Sequence, residues 1–289
     1  MIPEIKLKND FSLPVYGLGT WLMGGDKQRN PDNDDQHDID VIKMHIDNGV
    51  KFVFTAENYA EGHADRLVGE AVSGYDRDKI MVAATVKRVH GKYDIFIKSA
   101  LESLERLGLD YVDVLFHHAR DLETPIKETA RAMNTLVEEG KAKHLAVSNY
   151  GKESLSEMME HSKYPIVIDQ VNYSLRIRGP EMTGLTDFCK ENDVVLQAFR
   201  PLGHGNLIDA GKYEVVRKMA EQYGKTVPQI ALNWIYSQGF AVVATTHSEE
   251  HLKENLGALD WKMEEEDIEE LREKYPDQLE RDPVVGILQ

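Results

Sequence analysis

Three side chains that can donate a proton or stabilise a developing negative charge each follow a short apolar segment. They are the phenol of Tyr59, the amine of Lys87 and the imidazole of His118, and the segments before them are typical of β-strands. A phenol has an ordinary pKa of about 10, and a nearby ammonium makes its proton easier to donate. A phenol and an imidazole N–H directed at one oxygen also stabilise the negative charge that develops there. This set of residue types predicts proton transfer to a carbonyl oxygen.

The elements that must position these residues repeat along the chain. Eight short apolar segments are typical of strands: 14–20, 52–54, 80–86, 112–116, 144–147, 166–171, 194–199 and 240–245. Several segments between them have helical periodicity, as in Ile97, Leu101, Leu104 and Leu107. Buried strands that alternate with helices indicate a parallel sheet, and eight such units predict a (β/α)8 barrel, the TIM-barrel architecture of the α/β class. In such a barrel the reactive groups follow the strand ends.

Turn and capping residues support this interpretation. Thr124 followed by Pro125 is typical of an N-cap and a first helical position, and Gly140 is typical of a helix C-terminus. Residues 4–14, with Asn9-Asp10 at the centre, predict a small N-terminal β-hairpin. A doubly wound sheet is the weaker alternative, because the segment from Gly17 to Trp21 lacks the third glycine of a dinucleotide fingerprint. We therefore expect one barrel domain over residues 1–289.

Composition excludes several classes of function. The 289 residues include 34 basic and 50 acidic side chains, and the net charge of −16 repels nucleic acid and anionic membranes. Cys189 is the single cysteine, which excludes an intramolecular disulfide and a cysteine-based metal cluster. Residues 1–10 lack an apolar signal core, and no later stretch is apolar over the length of a membrane span. We expect a soluble cytoplasmic protein without membrane or nucleic-acid partners.

Motifs along nearly the whole chain resemble those of the aldo-keto reductase family. The matching segments are Gly17-Leu18-Gly19-Thr20-Trp21, Thr55-Ala56-Glu57-Asn58-Tyr59, Lys87, Tyr111-Val112-Asp113 with His118, Val147-Ser148-Asn149, Gln170, Pro201-Leu202 and Glu254-Asn255. The resemblance implies a (β/α)8 barrel in which Tyr59 donates the proton, Lys87 tunes it and His118 orients the carbonyl. No metal is expected, since His117 and His118 would face opposite sides of a strand.

The chain departs from the family pattern at Phe54. The family has a strand that ends in Asp-Thr-Ala, and its aspartate pairs with the lysine, whereas this chain has Phe54-Thr55-Ala56. We hypothesise that the missing carboxylate makes the chemistry slow or redirected. The alternative is that another acid, such as Glu57 or Asp113, takes its place.

The resemblance also implies a nicotinamide dinucleotide. Ser148, Asn149 and Gln170 would bond the nicotinamide carboxamide, and Phe199 would stack on its ring. The family lysine that contacts the 2′-phosphate is replaced by Thr245, so that NADP(H) is implied by the family and NAD(H) becomes plausible. The remaining cofactor candidates are Gly19, Thr20, Trp21, Arg200, Leu202, Thr246, His251, Glu254 and Asn255.

Substrate candidates follow the same strands. Trp21, Phe54 and Arg120 are expected to line the substrate site, and Arg120 stands where the family commonly has a Trp-Pro pair after the histidine. Arg120 and Arg200 together would suit a carboxylate or phosphate on the substrate, since a guanidinium matches those anions. Solvated surface arginines are the alternative for both.

These observations predict an NAD(P)H-dependent oxidoreductase that reduces an aldehyde, a ketone or a sugar carbonyl. The expected partner is a small-molecule carbonyl substrate, with an anionic substrate as one option. The sequence does not indicate which oligomeric state the protein adopts. Two alternatives stay open because function depends on the site and not on the fold. One is a non-redox lyase or isomerase on the same scaffold, and the other is a cofactor-binding sensor with low activity.

Overall fold

Eight parallel strands form a closed barrel in the computed structural model, which describes residues 1–205, 207, 213–276, 278 and 279. The barrel order is β10-β3-β4-β5-β6-β7-β8-β9. The barrel strands are β3 (Tyr16–Gly19), β4 (Phe52–Phe54), β5 (Met81–Val86), β6 (Val112–His117), β7 (Ala142–Ser148), β8 (Ile166–Asn172), β9 (Val195–Phe199) and β10 (Ala241–Ala244). The predicted fold class is confirmed, and each of the eight predicted strands corresponds to one of these.

The predicted N-terminal hairpin is also confirmed. Strand β1 (Glu4–Lys6) pairs antiparallel with β2 (Ser12–Pro14), with Ile5 opposite Leu13. Asp10 adopts a left-handed φ of 65° in the connecting turn, a conformation that aspartate tolerates better than most residues.

Helices follow most of the barrel strands. They are α1 (Asp35–Asp47), α2 (His63–Val72), α3 (Tyr93–Leu107), α4 (Ile126–Glu138), α5 (Lys152–His161), α6 (Gly179–Met182), α7 (Leu185–Glu191), α8 (Glu214–Tyr223), α9 (Val227–Ser237), α10 (Glu249–Leu256) and α11 (Glu265–Lys274). None of the described helices is long and apolar enough to cross a membrane.

The start of α4 differs by one residue from the sequence expectation. Pro125 is the N-cap, and Thr124 lies outside the helix. The Thr124 hydroxyl, which was expected to cap the helix, instead donates to Asp121 Oδ2 at 2.6 Å in the loop before the helix. Gly140 follows the last turn with φ +68°, in agreement with the predicted C-terminal stop.

The described chain divides into two compact units. One contains Met1–Tyr16 and the described residues from Gln170 onward, and the other is Gly17–Asp169. The second unit contains β4, β5 and β6, which carry the three candidate catalytic residues at their ends.

Close helix packing in this second unit depends on Gly69 of α2. A Cβ atom at this position would lie 2.2 Å from the carbonyl oxygen of Leu107 at the end of α3. No side chain fits there without moving the backbone, so glycine allows the two helices to approach. The helices then cover the outer faces of strands whose side chains are buried throughout, as in β4 and β6.

Candidate active site

Tyr59 begins a 3₁₀ turn, Tyr59–Gly62, that follows β4. The next three residues all have left-handed backbones, with φ values of 48° for Ala60, 56° for Glu61 and 82° for Gly62. Such values cost energy for residues other than glycine and persist only where surrounding contacts impose them. The backbone N–H groups of Ala60 and Glu61 donate to the carbonyl oxygens of Asp26 and Lys27 at 2.7 and 3.2 Å.

A hydrogen bond joins the start of α2, directly after this turn, to the start of α1. His63 Nε2 lies 2.7 Å from Asp35 Oδ2, and Arg29 contributes a longer contact at 3.6 Å. Burial alone would raise the pKa of Asp35, but hydrogen bonds from Asn33 and His63 hold it below its ordinary value. The loop between β3 and α1 therefore supports the position of Tyr59.

Lys87 directly follows β5 and is half-buried. Within the described part of the chain, its amine has no hydrogen bond and no ion pair. The residue at the family's aspartate position, Phe54, is buried, and its ring packs edge-to-face against Phe116 with 5.2 Å between centroids. The Phe54 ring also lies 6.4 Å from the ring of Tyr59.

Asp113 does not supply the missing carboxylate. Its Oδ2 lies 2.6 Å from Arg77 Nη2 and accepts from the Val82 N–H, and its Oδ1 lies 3.1 Å from Lys143 Nζ. Asp113 is the second residue of β6, about 16 Å along the strand from His118 at a strand rise of about 3.3 Å per residue. The suggestion that Asp113 compensates for Phe54 is wrong.

Glu57 is directed at the main chain of Lys87 and not at its amine. The carboxylate Oε1 accepts from the Lys87 backbone N–H at 2.6 Å and lies 3.1 Å from Nδ1 of His90. Glu57 therefore fixes the backbone that carries the lysine, but it leaves the amine without a carboxylate partner.

A buried ion pair between Asp65 and Arg106 contacts the segment that leads from Phe54 to Tyr59. Asp65 on α2 accepts from Thr55 Oγ1 and Ser103 Oγ, both at 2.8 Å, and from Arg106 Nε at 3.0 Å. Burial raises the pKa of this carboxyl, and the Arg106 charge opposes that rise. Through Thr55, this group holds the chain directly after β4.

The two adjacent histidines have different surroundings. His118 is half-buried after β6, and burial lowers its pKa, so the ring is neutral near pH 7. His117 is fully buried: its Nε2 donates to the Arg88 carbonyl at 3.2 Å, which leaves Nδ1 to accept from the Tyr150 hydroxyl at 2.8 Å. Burial lowers the pKa of His117 to about 4.

Cofactor candidates of the Gly17–Asp169 unit lie at the ends of β3 and β7. Gly19 ends β3, Thr20 is buried and Trp21 is half-buried. The Thr20 hydroxyl donates to the Phe54 carbonyl at 3.1 Å, which joins the ends of β3 and β4.

At the end of β7, Ser148 is buried and Asn149 has a left-handed φ of 56°. The Asn149 amide nitrogen donates to the His118 carbonyl and to Ser148 Oγ, both at 3.0 Å. Its side chain is therefore oriented by the residue that follows β6.

In the other unit, cofactor candidates lie on β8 and at the end of β9. Gln170 is buried on β8, and its amide nitrogen donates to Gln197 Oε1 at 2.8 Å. Phe199 ends β9, and the Arg200 guanidinium lies 5.8 Å from its ring centroid. Arg200 has a left-handed φ of 53°, and Leu202 after it is half-buried.

The last cofactor candidates lie after β10 and on α10. Thr245 is exposed, Thr246 is buried, and Asn255 donates to the Tyr16 hydroxyl at 3.3 Å. His251 is exposed and Glu254 is half-buried. The first turn of α10 carries two carboxylates, Glu249 and Glu250.

Among the substrate candidates, Trp21 is half-buried and Phe54 is almost fully buried. Arg120 lies 3.6 Å from Glu157 Oε2, so part of its charge is balanced by α5. Across the described residues, no cluster of three or more His, Cys, Asp or Glu side chains is arranged to hold a metal ion.

Sequence reasoning missed three exposed apolar side chains in the loops after β3, β5 and β6. Leu22, Val89 and Leu122 are 50%, 64% and 54% exposed. Exposed leucines and valines need no function when single, but all three follow strands that carry candidate site residues. They follow the strand ends by three, three and five residues, and this spacing in the sequence is the signal that could have found them.

Comparisons with known proteins point to one family. The model of the Aldo/keto reductase family matches residues 16–276. The chain is 28% identical over 282 residues to the glyoxal reductase of Bacillus subtilis (strain 168), covering 98% of this chain and 94% of that protein.

Two solved structures have the same fold. The thermostable aldo-keto reductase Tm1743, in complex with the inhibitor epalrestat, is 33% identical with a TM-score of 0.89, covering 93% of this chain and 98% of that one. An aldo/keto reductase from Klebsiella pneumoniae, in complex with NADP and acetate, is 28% identical with a TM-score of 0.84, covering 99% and 100%.

Proposed function

Because this chain belongs to the aldo-keto reductase family, we propose that it reduces small carbonyl compounds with a nicotinamide dinucleotide, using Tyr59, Lys87 and His118. The observation that carries the proposal is the register of three neighbouring strands. Phe54 of β4 pairs with Ala83 of β5, and Ala83 pairs with Val114 of β6. The ends of these parallel strands meet at one edge of the sheet, where neighbouring strands lie about 4.8 Å apart.

Each residue of the trio has a role that its surroundings support. Tyr59 donates the proton to the carbonyl oxygen, and the Lys87 ammonium stabilises the phenolate that remains. His118 acts as a neutral imidazole, because burial lowers its pKa, and its N–H holds the substrate oxygen. The fixed turn after Tyr59 limits the movement of the phenol before reaction.

The chemistry of the candidate donor set fits a nicotinamide carboxamide. That group needs both donors and acceptors, and the Ser148 hydroxyl with the amide of Asn149 offers both. The Asn149 amide nitrogen donates to the His118 carbonyl and to Ser148 Oγ, which leaves its amide oxygen as an acceptor. When bound, the nicotinamide supplies the hydride that reduces the carbonyl carbon.

Charges on α10 favour NADH over NADPH. Thr245 stands where the family has a lysine for the 2′-phosphate, and Glu249 and Glu250 lie in the first helical turn a few residues later. Two carboxylates near a phosphate dianion oppose its binding. The 2′-hydroxyl of NADH carries no charge to repel.

The substrate class is a small aldehyde or dicarbonyl. The glyoxal reductase to which this chain is similar acts on such a compound by its name. The exposed apolar side chains of Leu22, Val89 and Leu122 suit the uncharged part of such a substrate.

One second candidate is a lyase reaction through Lys87. An amine without an ion pair among the described residues can condense with a carbonyl to form an imine and release water. Borohydride added in the presence of an aldehyde would reduce that imine to a stable amine, which mass spectrometry locates on Lys87 if this candidate is correct.

The direct test measures loss of NADH and NADPH absorbance with glyoxal and simple aldehydes, alongside quenching of tryptophan fluorescence by each cofactor. We expect carbonyl-dependent oxidation, faster with NADH. Quenching without oxidation for every carbonyl would favour the sensor alternative, and the absence of both would contradict a dinucleotide site.

A further inference from the structure

Glu57 makes contacts that no role in the trio requires. It lies two residues before Tyr59, and its side chain is 8% exposed. Its Oε1 accepts from the Lys87 backbone N–H at 2.6 Å and lies 3.1 Å from His90 Nδ1. A carboxylate only accepts, so Nδ1 carries the ring hydrogen. The same Nδ1 lies 2.6 Å from Ser99 Oγ, which joins the contact to α3.

This carboxylate continues the ladder between β4 and β5 beyond the end of β4. The backbone N–H groups of Thr55 and Glu57 donate to the carbonyl oxygens of Ala83 and Thr85 at 2.9 and 3.1 Å. The chain then turns away into the Tyr59 turn, so no further backbone carbonyl of this segment reaches Lys87. The Glu57 side chain accepts the Lys87 N–H instead.

The contact also joins the two residues on which proton donation depends. The Tyr59 N–H donates to the Ala56 carbonyl at 2.9 Å, so Tyr59 belongs to the segment that Glu57 attaches to β5. At the other end of the contact is Lys87, whose amine lacks an ion pair among the described residues. In the family pattern a carboxylate one strand away would hold that amine, and here Phe54 cannot.

We propose that Glu57 is a positioning residue that holds the Lys87 main chain at a set distance from Tyr59, where the family's aspartate would have held the lysine side chain. The inference rests on the proposed function, since the distance matters only if Lys87 acts on the Tyr59 proton. The role is geometric: any acceptor of the same length performs it, with or without charge.

Two substitutions separate geometry from charge. Glu57→Gln keeps an oxygen acceptor for the Lys87 N–H, whereas Glu57→Met has similar volume and no oxygen acceptor. Glu70, exposed on α2, offers the matched control Glu70→Met. If Glu57→Met does not fold, Glu57→Asp replaces it, because its carboxylate is one methylene shorter.

The kinetic result expected is a lower kcat for Glu57→Met by about tenfold or more, because small misplacements of catalytic groups have effects of this size. Glu57→Gln and Glu70→Met stay within about threefold of the wild type, and NADH affinity by fluorescence is unchanged in all. The alkaline limb of the kcat profile moves to higher pH in Glu57→Met, since Lys87 then assists Tyr59 less. Equal kcat for Glu57→Met and Glu70→Met overturns the proposal.

A measurement without activity keeps the inference separate from the proposed function. Hydrogen exchange of the peptide that contains the Lys87 N–H should be faster in Glu57→Met than in Glu57→Gln or Glu70→Met. Unchanged exchange overturns the positioning role even if the enzyme is active. Faster exchange in a protein that reduces no carbonyl supports the contact and contradicts the reductase activity alone.

Discussion

The ring of Phe54 packs edge-to-face against the ring of Phe116, with 5.2 Å between centroids, where the family pattern has a carboxylate for Lys87. Phe54 therefore replaces the carboxylate partner of the lysine with an aromatic contact between β4 and β6. We expect Phe54→Asp to raise carbonyl reductase turnover severalfold, because the new carboxylate can pair with the Lys87 amine. Steady-state rates with saturating cofactor measure the change.

Phe54→Leu is the matched control for this substitution, since it removes the ring without adding charge. Both variants lose a buried aromatic contact, and we expect unfolding free energies lower by about 1 to 4 kcal/mol. A gain in turnover for both variants would attribute the effect to space, and no gain for Phe54→Asp with cofactor still bound would contradict the role of the missing acid.

Tyr59→Phe should reduce carbonyl reduction by about 100-fold or more, because it removes the proton donor and leaves the ring in place. Binding of NADH should be retained, which fluorescence quenching checks. Tyr75→Phe is the control, since the Tyr75 hydroxyl donates to Asp47 at 2.8 Å, at the C-terminal end of α1. Equal loss in both variants would point to folding and not to proton donation.

Thr245→Lys should move cofactor preference toward NADPH by about tenfold, a change that corresponds to about 1.4 kcal/mol. The lysine adds a positive charge for the 2′-phosphate near the carboxylates of Glu249 and Glu250. Thr245→Met adds similar length without charge. The ratio of kcat/KM for NADPH to kcat/KM for NADH measures this preference. An unchanged ratio in Thr245→Lys would indicate that the 2′-phosphate does not bind near position 245.

Acid should destabilise the protein through His117. Its pKa of about 4 in the folded state is lower than the ordinary 6.5, so the unfolded chain binds the proton first as pH falls. The stability that comes from a neutral His117 is complete above pH 6.5 and is lost between pH 6.5 and 4, by about 3 kcal/mol.

His117→Gln, which keeps an acceptor for the Tyr150 hydroxyl, should flatten this dependence. Urea midpoints at pH 7, 5.5 and 4 measure it, with the exposed His37→Gln as control. Burial also lowers the pKa of His118, so some acid sensitivity remains in the variant. Identical slopes for wild type and His117→Gln would show that other groups dominate.

Asp65→Asn should lower the free energy of unfolding by about 3 kcal/mol, because it leaves the partly buried Arg106 charge without its partner. The loss of support for Thr55 should also lower turnover. Asp76→Asn provides the comparison, since Asp76 forms an exposed pair with Lys79. Chemical denaturation of both variants distinguishes the buried pair from the surface pair.

The sequence predicted the barrel because strand and helix periodicities are local properties. Phe52 to Phe54 form a strand as short as the apolar run itself, and the other strands differ from the prediction by one or two residues at one or both ends. Those ends depend on partners elsewhere in the chain, as at Thr124, whose hydroxyl bonds Asp121 and does not cap α4. The assignment of residues 1–289 to one domain stays a prediction.

The roles of carboxylates were harder to predict. Asp113 and Glu57 were equal candidates to replace the missing acid, because residue type does not show which strand end a side chain approaches. Asp113 pairs with Arg77 and Lys143, residues far from it in sequence. Likewise, the buried contacts of Asp65 involve side chains 10 to 41 positions away, which a single sequence cannot pair.

The left-handed residues after Tyr59 have a consequence for engineering. Ala60 and Glu61 keep their backbone angles while their N–H groups bond Asp26 and Lys27, in a loop that would be a natural target for altering substrate choice. A library that randomises this loop would sample new substrate specificities, but it would also lose the contacts that fix the proton donor Tyr59. Libraries for new substrates should therefore keep the backbone conformation at positions 26 and 27, although the side chains at these positions can vary freely.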